Sequence, residues 1–285
     1  MRILVLGVTG MLGNAVLRVL AAAREHQIYG TLRGDDSYNL RGQLEPSCNI
    51  THGVDVENND SLVKIFGQVR PDAVVNCVGL VKQLGHAADP LLAIPINSLL
   101  PHRLAALCRI GGARLIQIST DCVFSGEKGN YVESDVPDAT DLYGRTKLLG
   151  EVSASNVVVL RTSIVGHELR SSRSLINWFL TQSVSIKGFS RAIFSGVPTV
   201  VLARIIRDIV LPAPDLQGLY HIAAEPISKY DLLNLVREMY GKQIEVVRDD
   251  TLVIDRSLNA DRFRIATGYA PPAWPEMVRQ MHEFR

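Results

Sequence analysis

The chain carries no C-x-x-C pair, no H-E-x-x-H cluster and no run of basic residues along its 285 positions. Its four cysteines, Cys48, Cys77, Cys108 and Cys122, stand too far apart in sequence for a zinc knuckle or a redox motif. They read as core thiols of a reducing compartment, in preference to disulfide partners or metal ligands. The seven histidines lack ligand spacing, so no catalytic metal is expected. Thirty Lys and Arg against 29 Asp and Glu leave a formal net charge of +1, with no cationic field for nucleic acid or a membrane surface. No apolar stretch reads as long enough to cross a membrane. The apolar start is too short for a signal-peptide core and has no A-x-A cleavage pattern. Repeats and low-complexity segments are also missing. The expectation is a cytoplasmic protein with a small-molecule partner, compatible with a homodimer.

What is present is ordinary globular material, 47% hydrophobic and 21% charged. Arg2-Ile3-Leu4-Val5-Leu6 has the apolar continuity of a strand buried on both faces. It runs directly into Gly7-Val8-Thr9-Gly10-Met11-Leu12-Gly13 and then a helical pattern from Asn14 to Arg24. Strand, glycine turn and helix in succession form the context of a dinucleotide fingerprint. Gly7 permits the tight turn, Gly10 lets backbone approach a pyrophosphate, and Gly13 lets helix pack on strand. Thr9, Met11 and Leu12 complete the candidate cradle, facing an anion with free helix-start amides. The spacing is G-x-x-G-x-x-G, and a purely structural turn is the alternative.

Strands alternate with helices through residue 160. Further strands are expected at His26 to Leu32, as a short third strand ending near Asp55, and at Asp72 to Cys77, Arg114 to Ile118 and Val157 to Leu160. Helices are expected at Ser61 to Val69, Asn97 to Ile110 and Leu142 to Val152. That order predicts an α/β fold, a doubly wound parallel (Rossmann) sheet that binds ligands beyond its carboxyl strand ends. Past residue 165 the alternation loosens: helices at 174–182, 199–211 and 229–240, a strand near 219–223, a Gly/Ser connector at 188–196 and a Pro-rich tail from 271. The expected division is a dinucleotide-binding domain at 1–165 and a smaller α/β substrate lobe at 166–285, interleaved with the main sheet.

Tyr143 and Lys147 lie four apart on an expected helix and therefore on one face. An ammonium beside a phenol favours the phenolate, making the tyrosine a usable proton carrier nearer neutral pH. A solvated lysine next to a half-buried tyrosine is the alternative.

Together with Asp55, Asn76, Asn97 and Ser119-Thr120-Asp121, these motifs follow the order and spacing of the extended short-chain dehydrogenase/reductase family. The stretch Ile118-Ser119-Thr120-Asp121-Cys122-Val123-Phe124-Ser125-Gly126 resembles the S-T-D-Y-V-F-D-G segment of its dTDP-4-dehydrorhamnose reductase-like members, and Gly218 to Ile222 also matches. The resemblance implies Tyr143 as general acid, Lys147 as holder of the nicotinamide ribose and modulator of the phenol, and Thr120 as hydrogen-bond donor to the same substrate oxygen. It implies cofactor contacts at Asp55 and Val56, at Cys77, Val78 and Gly79, and at Asn97, which would steady the lysine through water. A core-satisfied amide at Asn97, a turn aspartate at Asp55 and a strand-end cap at Thr120 are the structural alternatives.

Strand 2 ends in Arg33 with no acidic residue before Asp35, which with the Thr31 hydroxyl favours NADPH; NADH is also admitted. Lys82, Thr120, Asn177 and Trp178 are candidate substrate contacts, with Arg161-Thr162-Ser163, Arg170 and Arg173 for a diphosphate. For Trp178 a core role is the alternative. Dehydratases of the family read Thr-Asp-Glu, and Cys122 replaces that glutamate. The expected activity is NADPH-dependent reduction of a 4-keto-6-deoxy nucleotide sugar for surface-polysaccharide synthesis. The alternatives are an epimerase or a non-catalytic NADP-binding subunit. Cys122 in place of a tyrosine, Asp138 to Leu142 in place of a Pro-rich approach, and Gly166-His167-Glu168-Leu169 depart from the reductase pattern.

Overall fold

The computed structural model describes residues 1–34, 48–80, 89–169 and 172–285. The first half runs β1 (Arg2–Leu6), α1 (Met11–Ala23), β2 (Gln27–Thr31), β3 (Cys48–Thr51), α2 (Asn59–Val69), β4 (Ala73–Asn76), α3 (Pro90–Ala93), a π-helical turn (Ile94–Leu99), α4 (Leu100–Gly111), β5 (Arg114–Thr120), α5 (Leu142–Leu149) and β6 (Val157–Thr162). Then come β7 (Ile164–Val165), α6 (Leu175–Thr181), β8 (Ile186–Phe189), β9 (Ala192–Phe194), β10 (Val197–Pro198), α7 (Thr199–Ile205), a second π-helical turn (Ile206–Val210) and β11 (Gly218–His221). The chain ends with β12 (Ile227–Ser228), α8 (Lys229–Met239), β13 (Val246–Asp249), β14 (Ile254–Asp255), α9 (Asp261–Thr267) and α10 (Trp274–Glu283).

Among the described residues, seven parallel strands form the main sheet in the order β11-β6-β5-β4-β1-β2-β3. From β1 the chain winds outward one way through β2 and β3, then returns to β4 and winds the other way. The reversal opens a crevice at the carboxyl ends of β1 and β4, where such sheets take ligands. Alternation along β1 explains the two-sided core: Ile3 and Val5 face α1 and α7, while Leu4 and Leu6 face α2 and α4. The edge strand β11 comes from beyond residue 165, and α7 packs beside α1.

Three readings of the sequence need correction. The connector at 188–196 contains the second half of β8 and all of β9, strands that pair with β13 and with β12 and β14. The Pro-rich tail contains α10, whose Pro275 sits in the first turn, where its missing N–H costs nothing. And a stretch of membrane-spanning length does exist: α3, the π turn and α4 make one apolar helical rod, Pro90–Gly111. Its inner face, with Ala93, Ile96, Leu100, Leu104 and Cys108, is buried in this fold.

Candidate active site

Gly7 holds φ at +80°, and an added Cβ there would press on Val78. At Gly13 a Cβ would be driven into the Gly7 carbonyl oxygen, so α1 can lie this close to β1 only with glycine. Gly10 is the N-cap of α1, in extended conformation, and supplies no side-chain cap. No acidic residue stands in the first turn of α1, whereas Asn58, Asp141, Ser174 and Ser228 cap α2, α5, α6 and α8. The positive end of α1, with its Met11, Leu12 and Gly13 amides, is thus uncompensated from within and suits an external phosphate. The residues fit a pyrophosphate.

Two further glycines bring α5 into place. A Cβ on Gly144 would meet the Cys122 carbonyl oxygen, and one on Gly150 would meet that of Asn97. Between these two contacts α5 packs against the turn after β5 and against the first π turn. Asp141 starts α5 by accepting from the Gly144 N–H at 2.8 Å. The π turn extends Ser98 Oγ to the Thr146 carbonyl (2.9 Å) and Asn97 Nδ2 to Thr146 Oγ1 (3.3 Å). Such bulges insert an extra residue where a helix must present side chains to a site.

Thr120, Tyr143 and Lys147 come together at the carboxyl end of β5. Tyr143 lies beside the Thr120 hydroxyl. Lys147 Nζ donates to the Ile118 carbonyl at 2.8 Å, and a Cβ on Gly79 would stand 3.8 Å from that nitrogen. Burial pulls Lys147 down to about 8, with Glu151 opposing. The phenol departs from expectation. Burial pushes Tyr143 above its usual range, Cys122, Asp121 and Asp141 add to the rise, and Thr120 opposes it. The lysine therefore does not bring the tyrosine toward neutrality here, because its ammonium is turned to Ile118.

Other expected site residues fall as follows. Asn97 Oδ1 accepts from Leu80 N–H at 3.0 Å and its Nδ2 is engaged by Thr146, so the amide is satisfied by protein and ties the β4 loop to α5. Asp55 accepts from the Glu57 N–H at 3.1 Å as a turn aspartate, with Val56 beside it. Cys77, Val78 and Gly79 follow β4; Asn76 Oδ1 accepts the Val78 N–H at 3.1 Å and fixes that loop. Thr31 is buried, while Arg33 is exposed beyond β2. Asn177 grips the backbone of Glu168 in both directions, and Trp178, 37% exposed, is not core. The backbone N–H of Arg173 donates to the Glu168 carboxylate, and its side chain is exposed. Lys82, Asp35 and Arg170 lie outside the described residues.

Arg161 is a correction. It is buried, not at the mouth of the crevice. Its guanidinium forms a bidentate pair with Glu151 (2.7 and 2.6 Å) and stacks over Phe124. Ser119 Oγ donates to the same carboxylate at 2.6 Å, and His221 lies 3.4 Å from the guanidinium. Burial and the arginine push His221 down to about 4, so it is neutral near pH 7. Sequence reasoning passed over Glu151 and His221. The i,i+4 spacing of Glu151 from Lys147 was the available signal.

The sequence pattern of the family described as "RmlD substrate binding domain" matches residues 1–280. The chain belongs to that family. With it comes the wider class, the extended short-chain dehydrogenase/reductases of dTDP-4-dehydrorhamnose reductase-like type, built as NAD(P)-dependent oxidoreductases. Similar proteins include a Haloferax volcanii protein named "Probable low-salt glycan biosynthesis reductase Agl14", 28% identical over 92% of this chain and 85% of its own. A "dTDP-4-keto-6-deoxy-D-glucose reductase" of Streptomyces niveus is 28% identical over 71% of this chain and 73% of its own. "Methionine adenosyltransferase 2 subunit beta" of Danio rerio is 27% identical over 84% and 72%. Among solved structures, dTDP-4-dehydrorhamnose reductase of Bacillus anthracis in complex with NADP superposes with a TM-score of 0.80 at 20% identity, covering 99% of this RmlD-family chain and 98% of the other. At that identity the likeness concerns the fold.

Proposed function

We propose that this RmlD-family protein is an NADPH-dependent reductase of a nucleotide-linked 4-keto-6-deoxy sugar, serving surface-glycan synthesis. The observation that carries the reading is the meeting of Thr120, Tyr143 and Lys147 beside an uncapped glycine turn. The cofactor supplies a hydride. Gly7, Thr9, Gly10, Met11, Leu12 and Gly13 would hold its phosphates, Asp55 and Val56 would meet its adenine, and Cys77, Val78 and Gly79 would contact it along the crevice. Lys147 would hold the ribose. Tyr143 delivers a proton to the carbonyl oxygen of the substrate while Thr120 donates a hydrogen bond to that oxygen. A phenol raised by burial stays protonated at neutral pH, the correct state for a donor. An alkoxide is more basic than a phenolate, so the transfer runs downhill.

Cys122 argues against water elimination. Burial pushes its thiol up to about 12, so it holds its proton where a dehydratase would need a base. Residues 166–285 would supply the sugar-nucleotide lobe, with Trp178 for stacking and Asn177 holding the adjoining loop. The test is NADPH absorbance against dTDP-, UDP- and GDP-linked 4-keto-6-deoxyhexoses. Bound NAD without net NADPH consumption would favour an epimerase. Inertness toward every sugar, with capture of a partner enzyme, would favour a non-catalytic NADP-binding subunit, and some similar proteins are named as subunits of a larger enzyme.

Two binding predictions follow. Gly13→Ala is expected to displace the turn and weaken NADPH by at least about tenfold, near 1.4 kcal/mol, as read by fluorescence titration. Arg33→Asp removes the cation proposed to face a 2′-phosphate. It is expected to weaken NADPH about tenfold or more while leaving NADH affinity nearly unchanged, since a charge-assisted hydrogen bond is worth roughly 1.5–3 kcal/mol. Equal loss for both cofactors would remove Arg33 from cofactor choice.

A further inference from the structure

The Thr120 hydroxyl is met by Asp121, by Tyr143 and by both the N–H and the thiol of Cys122. It accepts from the Cys122 N–H at 3.1 Å, it donates to Asp121 Oδ1 at 3.2 Å, and the Tyr143 phenol lies beside it. A hydroxyl has one hydrogen to donate and two lone pairs. While Asp121 is an ionised carboxylate it can only accept, and the Thr120 hydrogen is committed to it. A carbonyl oxygen placed at Tyr143 would then find no donor at Thr120. When Asp121 is protonated the bond reverses. The carboxyl O–H and the Cys122 N–H fill both lone pairs of Thr120, and its hydrogen turns outward.

We propose that Asp121, as a protonated carboxyl donating to Thr120 Oγ1, is a positioning residue that frees the threonine hydroxyl for the substrate carbonyl oxygen. This inference rests on the reductase reading above. The surroundings favour the neutral form. Asp121 is only 5% exposed, and burial, the largest influence, raises its pKa. Among the described residues, the charged and titratable groups facing it are Arg256 from the segment after β14, Cys122 from its own turn and Tyr143 from α5; the Arg256 charge and the hydrogen bonds from Cys122, Thr120 and Ser163 favour the carboxylate, and burial outweighs them. Arg256, the one cation among them, spends its Nε–H on the Phe124 carbonyl at 2.9 Å. It also adds to the lowering of the Asp138 carboxyl nearby, which is set first by the Ser125 hydroxyl.

The experiment joins carboxyl titration to a mutant cycle on the full chain saturated with NADP⁺ or NADPH. In a ¹³C-carboxyl NMR titration, with Asp121→Asn assigning the signal, the Asp121 carboxyl is expected to remain protonated at pH 6.5. In turnover, Asp121→Leu is expected to lower kcat by about 10²-fold, the cost of losing one oxyanion donor, with KM little changed. Asp121→Asn, whose amide N–H can donate to Thr120 permanently, should restore kcat to within about threefold of the parent. Thr120→Val should cost about 10²-fold in the parent and almost nothing further in Asp121→Leu, a coupling that a merely structural carboxylate would not produce. A carboxyl ionised below pH 6, or an Asn variant as impaired as the Leu variant at unchanged melting temperature, overturns the proposal. If the parent protein oxidises no NADPH with any keto sugar, the reductase reading fails, and the titration still decides the state of Asp121.

Discussion

Replacing Tyr143 with phenylalanine is expected to lower turnover by roughly 10²–10⁴-fold while NADPH affinity changes little, because only the proton donor is removed. The reasons lie in the packing. The half-buried ring projects from α5 beside the Thr120 turn, and phenylalanine keeps its volume. Lys147 remains anchored to the Ile118 carbonyl, which does not involve the phenol. The loss should therefore fall on kcat and on kcat/KM alike, the signature of an interaction made only in the transition state. Steady-state kinetics with a cofactor-binding titration on the same preparation checks it. Full activity in the Phe variant would remove Tyr143 from the chemistry.

Arg161→Leu is expected to cost about 3–5 kcal/mol of folding stability, far more than loss of a surface ion pair. The guanidinium and the Glu151 carboxylate are 3% and 10% exposed, and truncating one partner strands the other in the interior. Ser119, Phe124 and His221 all take part in the same cluster, so the cost includes their lost contacts. Replacing Arg161 and Glu151 together with apolar residues should recover much of the loss, since the charge is then no longer buried alone. Denaturant melts of the single and double variants measure this. A single variant within about 1 kcal/mol of the parent, the value of a typical surface pair, would contradict it.

The parts of this site that could be read from the sequence are those whose geometry is local. Gly7, Gly10 and Gly13 lie in one turn, and Tyr143 and Lys147 lie in one helix, so spacing alone sets their relation. The parallel sheet was legible because its buried strands are continuous apolar runs, and the family comparison agrees with that fold. Arg161 shows where local reading stops. Its partners are fixed by register: β6 sets it opposite Ser119 of β5 and His221 of β11, and the latter lies 60 residues away. Nothing in Arg161-Thr162-Ser163 says whether the arginine faces the crevice or the interior. The strands β8 and β9 were hidden for a similar reason. They are three or four residues long, contain Gly188, and find their partners in β12, β13 and β14 far along the chain. The tyrosine's raised pKa was also beyond the sequence, which shows the neighbouring lysine but neither the burial around the phenol nor the turn of the ammonium to Ile118.

One phenol, one alcohol and one ammonium are proposed to serve net hydride delivery to a sugar ketone. Single turnover with 4-deuterated NADPH and dTDP-4-keto-6-deoxyhexose tests it most directly, with the product followed by NMR. One deuterium is expected on the former carbonyl carbon for each NADP⁺ formed, with transfer nearly abolished by Tyr143→Phe. A product epimerised without oxidation of the cofactor, or no uptake of pyridine nucleotide at all, would contradict it.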